Sequence, residues 1–446
     1  MKGYKPVTYL MGGVLGILLL MFVVKVGPRL LAASRPTPVT QTSPTMTPTK
    51  TAPTTTPILV SARITPTTPS SPANVAASQG TTTEIPLCAF SAQKTPTQTT
   101  SSLLNTYTFS EPQVVLTSTT AIRLLRWLPD NRRLLVSRAI EGKFGDYIET
   151  FDLETGEFTR YSEWWDGEGI PLWLPVEQAV VFVSSGPPDY VRKLYLAHGP
   201  GSPVEELATG LATPLLSLGP DSQHIIFSSS LQGVSSLHLQ QALTSEPLVT
   251  NLPGQVRSEW PYLDTWRADG SMVAMYKRGV FYLVDPEAGT ACEMDLGSAE
   301  GQKIWATEAK WSSNGQYVAA LVTIGEAPFR SVTLMIIDTL NGIWNVSLDG
   351  RSAQSIDWLP GSNMLLATVD ANPDPSLGNF DSLYLVDATT RSSQAILPGH
   401  QFFAAGYFGA LSSLDGKAIG ITCPEVVPPD EVREWRVCTI DVKVQR

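Results

Sequence analysis

Cysteine, histidine and charge are all scarce in this chain, and each shortage excludes something. The 446 residues hold only four cysteines, Cys88, Cys292, Cys423 and Cys438, and none form a CxxC pair. Zinc ribbons and thioredoxin-type redox chemistry need such pairs, so both are excluded. The four histidines, His198, His224, His238 and His400, lie far apart and make no H-E-x-x-H motif. The chain also lacks G-x-S-x-G, which removes the nucleophile elbow of serine hydrolases. Charged residues are 16% of the total, with a net of −10. They are unevenly placed: residues 1–105 carry eight basic side chains against Glu84 alone, a net of +7 that leaves −17 on residues 106–446. A body that acidic repels phosphate backbones, so no nucleic-acid partner is expected.

The longest uncharged apolar run, "VTYLMGGVLGILLLMFVV", spans residues 7–24 behind Lys2 and Lys5. As a helix it would measure about 27 Å, close to the roughly 30 Å of a hydrocarbon core. A cleaved signal peptide is the rival, because "LLAAS" at 30–34 offers small residues. Lys25 and Arg29 separate the apolar run from any such cleavage site, which favours an uncleaved anchor. Residues 1–34 are therefore expected to hold the chain to a lipid bilayer with a single transmembrane helix. Residues 35–105 are rich in Thr, Pro and Ser, too poor in apolar side chains to offset the entropy of ordering, and read as a disordered, extended stalk. Stalks of this kind usually stand outside the cell, so the remainder is expected to be extracytoplasmic, at the cell membrane. One apolar island, "IPLCAF" at 85–90, interrupts the stalk with Cys88 at its centre.

Residues 106–446 repeat. "RWLPDNRRLLV" carries Trp127, "LWLPVEQAVVFV" Trp173, "TWRADGSMVAMY" Trp266, "KWSSNGQYVAAL" Trp311 and "DWLPGSNMLLAT" Trp358; "SLGPDSQHIIFS" has Leu218 and "LSSLDGKAIGIT" Ser412 in that place. The seven positions are 46, 45, 48, 45, 47 and 54 residues apart, the period of a propeller. Each copy has a strand ending at the Trp position, a turn rich in Asp, Asn and Gly, and a second apolar strand. A further hairpin follows in most copies, as in "FDLETGEFT" and "IIDTLNGIWNV". The last copy runs out of chain after its third strand, "WRVCTIDV", whereas "PQVVLTST" at 112–119 stands unpaired ahead of the first. The expected fold class is thus all-β: a seven-bladed β-propeller closed by an N-terminal strand, with a six-bladed ring carrying one degenerate hairpin as the alternative.

The W-x-P-D-G turn and the Y-x-x-D-x-x-x-G hairpin resemble the WD-like repeats of TolB-type periplasmic propellers. They are also similar to the propeller half of prolyl-oligopeptidase-type peptidases, here without a hydrolase domain. The resemblance covers roughly residues 107–446 and departs from the pattern at Leu218, Ser412, Val176 and Gly361. It implies a fold and is almost silent about function. The recurrent Trp residues are expected to pack between blades.

Antiparallel four-stranded blades put second-to-third connections and inter-blade connections on one face. The longer loops fall there and carry aromatics: Trp164, Trp165, Tyr190, Trp260, Phe329, Phe380, Phe402, Phe403 and Trp435 are the candidate ligand-binding residues. Arg126, Asp264, Glu308, Lys310 and Asp357 fall on innermost strands and are expected to line the channel with mixed charge. Cys423 and Cys438 flank one loop on neighbouring strands and are expected to form a disulfide in an oxidising compartment; Cys88 with Cys292 is the weaker pairing. Asp370, Asn372, Asp374 and Asp381 have calcium-loop spacing, but Pro375 occupies the place where the turn needs Gly. No metal and no cofactor are expected. The expected function is a non-enzymatic scaffold or binding module of the cell envelope, with a protein or an envelope glycan as partner. The alternative is a glycan-active enzyme using the carboxylates near the channel.

Overall fold

The computed structural model describes residues 86–88, 102–186, 190–230, 233–241, 245–248, 263–277, 280–294, 304–324, 331–370, 380–400, 402–403, 409–427 and 431–445. All lie in one compact unit, Ser78–Arg446. The anchor read at 1–34 and nearly all of the stalk fall outside them. No helix among the described residues is long and apolar enough to cross a membrane.

Seven antiparallel sheets follow one another along the chain. Their innermost strands are Ile122–Trp127, Leu172–Leu174, Leu211–Leu218, Leu263–Trp266, Ile304–Trp311, Ala353–Trp358 and Leu411–Ser412, which begin blades 1 to 7 in turn. Blades 1 to 6 draw their four main strands from consecutive chain. Blade 7 contributes Leu411–Ser412, Ala418–Thr422 and Glu431–Val444, and its outermost position is filled from the N-terminal side. There Tyr107–Phe109 pairs with Val442–Val444, and Gln113–Ser118 pairs with Trp435–Thr439. The unpaired N-terminal strand of the sequence thus closes the ring, and the blade count is seven.

The second strands explain why the apolar runs are continuous rather than alternating. In Arg133–Ala139, Leu134 and Val136 join the cluster shared with blade 7, while Leu135 joins the one shared with blade 2. In Ala179–Ser185, Val180 and Phe182 face blade 1, while Val181 and Val183 face blade 3. Successive side chains leave a strand on opposite faces, so a strand covered on both sides must be apolar at every position. Seven apolar clusters result, one at each blade junction.

The recurrent Trp residues stitch these junctions. Trp127 Nε1 donates to Leu411 O at 3.0 Å, Trp311 Nε1 to Thr265 O at 3.1 Å, and Trp358 Nε1 to Lys310 O at 2.9 Å. The acceptor is each time the residue before the equivalent position of the preceding blade. Gly420, on the second strand of blade 7, makes room for the first of these: a Cβ there would stand 2.5 Å from Leu124 Cδ2 and 2.9 Å from Trp127 Nε1. At the blade 6–7 junction, where Ser412 replaces Trp, the Ser412 amide donates to Asp357 Oδ2 at 2.7 Å instead.

Two disulfides add covalent ties. Cys423 and Cys438 are bonded across neighbouring strands of blade 7, with Cα atoms 5.9 Å apart. Cys88 is bonded to Cys292 on the outermost strand of blade 4, Thr290–Met294, with Cα atoms 4.8 Å apart. Residues 86–88 lie along that strand: the Cys88 amide donates to Glu293 O at 2.8 Å and the Glu293 amide to Pro86 O at 2.9 Å.

Candidate functional site: a loop face and a charged channel

Two regions gather the sequence candidates. The first is the loop face at blades 1 and 2. Trp164 is the last residue but one of the outermost strand of blade 1, Phe158–Trp165, and its Nε1 donates to Phe144 O at 3.2 Å. Its ring fills space over two glycines: a Cβ on Gly145 would stand 2.5 Å from Trp164 Nε1, and one on Gly186 would stand 3.1 Å from Trp164 Cζ3. Gly186 O then accepts the Tyr190 amide at 3.0 Å. Trp164 therefore joins the second-to-third loops of two blades, leaving Phe144 78% and Tyr190 72% exposed beside it. Tyr190 has a φ of 52°, a left-handed backbone that an ordinary side chain adopts at some cost. The rim is polar and paired. Arg192 grips Glu168 through Nε at 2.7 Å and Nη2 at 3.3 Å, and Asp166 accepts from the Ser185 amide at 2.6 Å and its hydroxyl at 2.8 Å.

Other members of the aromatic set have different roles. Trp165 is 0% exposed; its Nε1 donates to Val183 O at 3.0 Å and Glu168 O at 3.1 Å, and its ring belongs to the blade 1–2 core. Phe402 is 1% exposed in the blade 6–7 core. Neither ring is available to a ligand, and both readings are corrected: adjacent residues on a strand face opposite ways, so one of a Trp164–Trp165 pair had to turn inward. Trp435 is half-buried against the blade 7–1 cluster. Phe380 and Phe403 pair through their backbones across two strands, with side chains outside the described residues. Trp260 and Phe329 lie outside them altogether, as does most of the calcium-like loop. Among the described residues, no group of His, Cys, Asp and Glu has a metal-binding arrangement. His224 and His238 face each other across neighbouring strands of blade 3, ring centroids 4.5 Å apart.

The second region is the channel. The residue before each Trp position occupies one register level, because each pairs with the second strand in the same way. Arg126 pairs with Leu135, Leu172 with Val181, Ser217 with Ile226 and Thr265 with Ala274; Lys310 pairs with Ala319, Asp357 with Leu366 and Leu411 with Gly420. This level lies beside the tight-turn end of the innermost strands. Lys310 Nζ donates to Ile356 O at 2.7 Å and to Asp357 Oδ1 at 3.1 Å, and stands 3.3 Å from Glu308 Oε1. The Glu308 oxygens accept no well-aligned hydrogen bond, and the residue is only 5% exposed. Burial pushes the Glu308 carboxyl up to about 7, against the opposing pull of Lys310. Burial lowers the Arg126 guanidinium, with Asp357 partly offsetting it. Arg126 and Glu308 each follow a break in strand register, between Leu124 and Arg126 and between Ala306 and Glu308. Such bulges re-aim the side chains next to them. The Asp264 side chain is outside the described residues.

Comparison with known proteins adds little beyond this geometry. No family model and no curated protein matches the chain. Among solved structures it is similar to the β-propeller domain of Cps50 (Swd1) from Myceliophteria thermophila, at 10% identity, with 74% of this chain and 99% of that chain covered and a TM-score of 0.48. That likeness carries no functional argument. The strand topology itself establishes the seven-bladed propeller.

Phe144 is the member of the loop-face patch that the sequence reading missed. Its signal was a lone aromatic between Lys143 and Gly145 in a short loop, too slight beside the Trp-rich segment that follows.

Proposed function

We propose that this propeller is a non-enzymatic binding module, tethered to a membrane by residues 1–34 and standing outside the cytoplasm, whose loop face at blades 1 and 2 docks a protein partner. The observation that carries the docking surface is the patch of Phe144, Trp164 and Tyr190, supported by its own loops and flanked by polar groups that already have partners, Arg192 with Glu168 and Asp166 with Ser185. Exposed aromatics on a fixed frame with a polar rim are the usual anatomy of a protein contact. The net charge of −17 on the body favours a partner surface that is apolar at its centre and basic around it. Pairing of all four cysteines is what an oxidising compartment permits, which supports the extracytoplasmic reading. The TolB-type resemblance agrees with it and rests on the turn motifs alone.

Photo-crosslinking in intact cells that express the full chain tests this reading. A benzophenone side chain at Phe144 or Tyr190 should give one discrete protein adduct. The same probe at Leu414, exposed in a tight turn on the opposite face, should give none. Adducts to saccharide would replace the protein partner with an envelope glycan; adducts from Leu414 alone would remove the loop face as the docking surface. The double substitution Phe144→Ala and Tyr190→Ala should weaken capture by about 10-fold or more, as loss of two central aromatics does elsewhere.

A further inference from the structure

The apolar island at 85–90 takes no part in the loop face or the channel, yet Cys88 at its centre is bonded to blade 4. The described part of the island buries little. Pro86 is exposed and Leu87 is 67% exposed, and its strand pairing consists of two backbone hydrogen bonds, both with Glu293. So short a pairing needs buried apolar surface to hold it in place.

Beside the island, the junction between blades 4 and 5 is open. A cavity of about 360 Å³ has the Cys88–Cys292 disulfide, Met272 and Leu283 on its blade 4 side and Leu340, 58% exposed, at its lip. Two tight turns of blade 5, at 314–316 and 339–340, form the far side, so the cavity opens at the tight-turn end. The polar groups of its lining serve their own turns. Asn314 Oδ1 accepts the Gln316 amide at 3.0 Å, and Asn314 Nδ2 donates to Asn363 Oδ1 at 2.7 Å. The Thr339 hydroxyl donates to Gln316 O at 3.0 Å. Arg267 is turned to its own loop, with Nε 3.3 Å from Asp269 Oδ2 and Nη1 donating to Ser271 Oγ at 3.4 Å. What the cavity offers an occupant is apolar surface.

We propose that this cavity seats the end of the chain's own stalk, with the Ile85 side chain inserted between blades 4 and 5 against Met272 and Leu340. The direction of the chain argues for it. Leu87 bridges Glu293 in parallel, so the chain before Pro86 runs back along the strand Thr290–Met294 towards its tight turn, the end at which the cavity opens. Ile85 is the first residue beyond the described segment on that side and the aliphatic member of the island there, whereas Phe90 follows Cys88 in the other direction. Three residues of extended chain span about 10 Å, which keeps Ile85 within reach of a cavity that Cys88 itself lines. The residue before a proline is held extended, so little further entropy is lost on seating it. A seated Ile85 makes the stalk leave the propeller at the tight-turn end, opposite the loop face. The seat stands whether or not the loop face docks a protein.

Photo-crosslinking within one molecule tests the seat. A diazirine-bearing aliphatic residue at position 85 of the full, oxidised chain should give intramolecular adducts to Met272, Leu283 or Leu340, read by mass spectrometry of the digested monomer. Adducts confined to Thr290–Met294, or no intramolecular adduct, would overturn the proposal. Adducts joining two copies, or joining the chain to another protein, would give the cavity a different occupant and overturn it too. Hydrogen exchange at the Cys88 amide, which donates to Glu293 O, is an independent reading. Ile85→Ala and Leu340→Ala should each speed it about 10-fold, the order expected for loss of part of a buried isoleucine contact. The double substitution should be no faster than either single one, because both remove the same contact. Ile85→Val should stay within about 3-fold of the natural protein. Additive acceleration in the double variant, or none from Ile85→Ala, would overturn the contact.

Discussion

At the scale of the residue, Glu308 shows how a propeller channel alters ordinary chemistry. A carboxyl with an unperturbed value of 4.5 is raised to about 7 because burial opposes its charged form more than Lys310 favours it. The sign of the consequence follows. The folded state holds its proton across the interval from 4.5 to 7 while the unfolded chain has released it, so the stabilisation is complete at acid pH and is lost as pH rises towards neutrality. The group is almost wholly buried, so the full interval counts, about 3 kcal/mol. Glu308→Gln, which stays neutral throughout, should flatten this slope. Urea unfolding at pH 4.5, 6 and 7.5 would show the two proteins converging in their pH dependence if Glu308 titrated as an exposed carboxylate does. Lys310 behaves oppositely: burial opposes its charge, but Asp357 and Glu308 together raise it, so its ammonium persists through the neutral range.

At the scale of the element, the unit of stability is the junction between blades. Trp358 illustrates it, with its ring in the blade 5–6 core and its Nε1 bonded to Lys310 O. Trp358→Phe keeps most of the apolar contact but leaves that carbonyl without the indole donor, and should cost about 1 kcal/mol. A denaturation midpoint unchanged within error would show that the indole bond adds nothing. The same junctions explain what the sequence disclosed and what it hid. Innermost and second strands were legible because Trp, a turn of Asp or Asn with Gly, and an unbroken apolar run occur together wherever a strand is covered on both faces. Closure by a strand near 112–119 was legible because it stood alone and the last blade lacked a partner. Outer strands carried a weaker signal: Ser245–Pro247 and Glu205–Thr209 are short, and the latter is half exposed. The candidate site was less legible still. The orientation of Trp165 and Phe402 depends on which face of a strand meets the next blade, and aromatic content is blind to that. Arg126 and Lys310 were readable as channel residues from their place before Trp, but their difference in pairing was not, because it depends on which charge the neighbouring blade presents.

At the scale of the whole molecule, the N-terminal segment is fastened twice, by covalent attachment of Cys88 to blade 4 and by strand pairing of residues 107–118 to blade 7. The two fastenings are not equivalent under load. A pull applied to the N-terminal end reaches Cys88 first and passes through the disulfide into Cys292, so the closing strands of blade 7 and all of blades 1 to 3 lie inside the covalent loop and are not unravelled from that end. The closing strands are held by hydrogen bonds to Glu431–Val444 and by Leu116, Tyr107 and Phe109 in the flanking apolar clusters, and the disulfide keeps a pull from the N-terminal end from peeling them away. This arrangement predicts a length. The disulfide spans a sequence separation of 204 residues, which at 3.3–3.6 Å per residue hides about 700 Å of chain from stretching. Force spectroscopy on the full chain held at both termini should therefore show a total contour length about 700 Å longer for Cys292→Ser than for the oxidised protein. In that variant the earliest rupture should be loss of blade 7 closure, at lower force than any event in the oxidised protein. Equal contour lengths would mean that Cys88 and Cys292 are not joined in solution. A longer contour without the early low-force event would mean that the disulfide restrains the chain without protecting the closure.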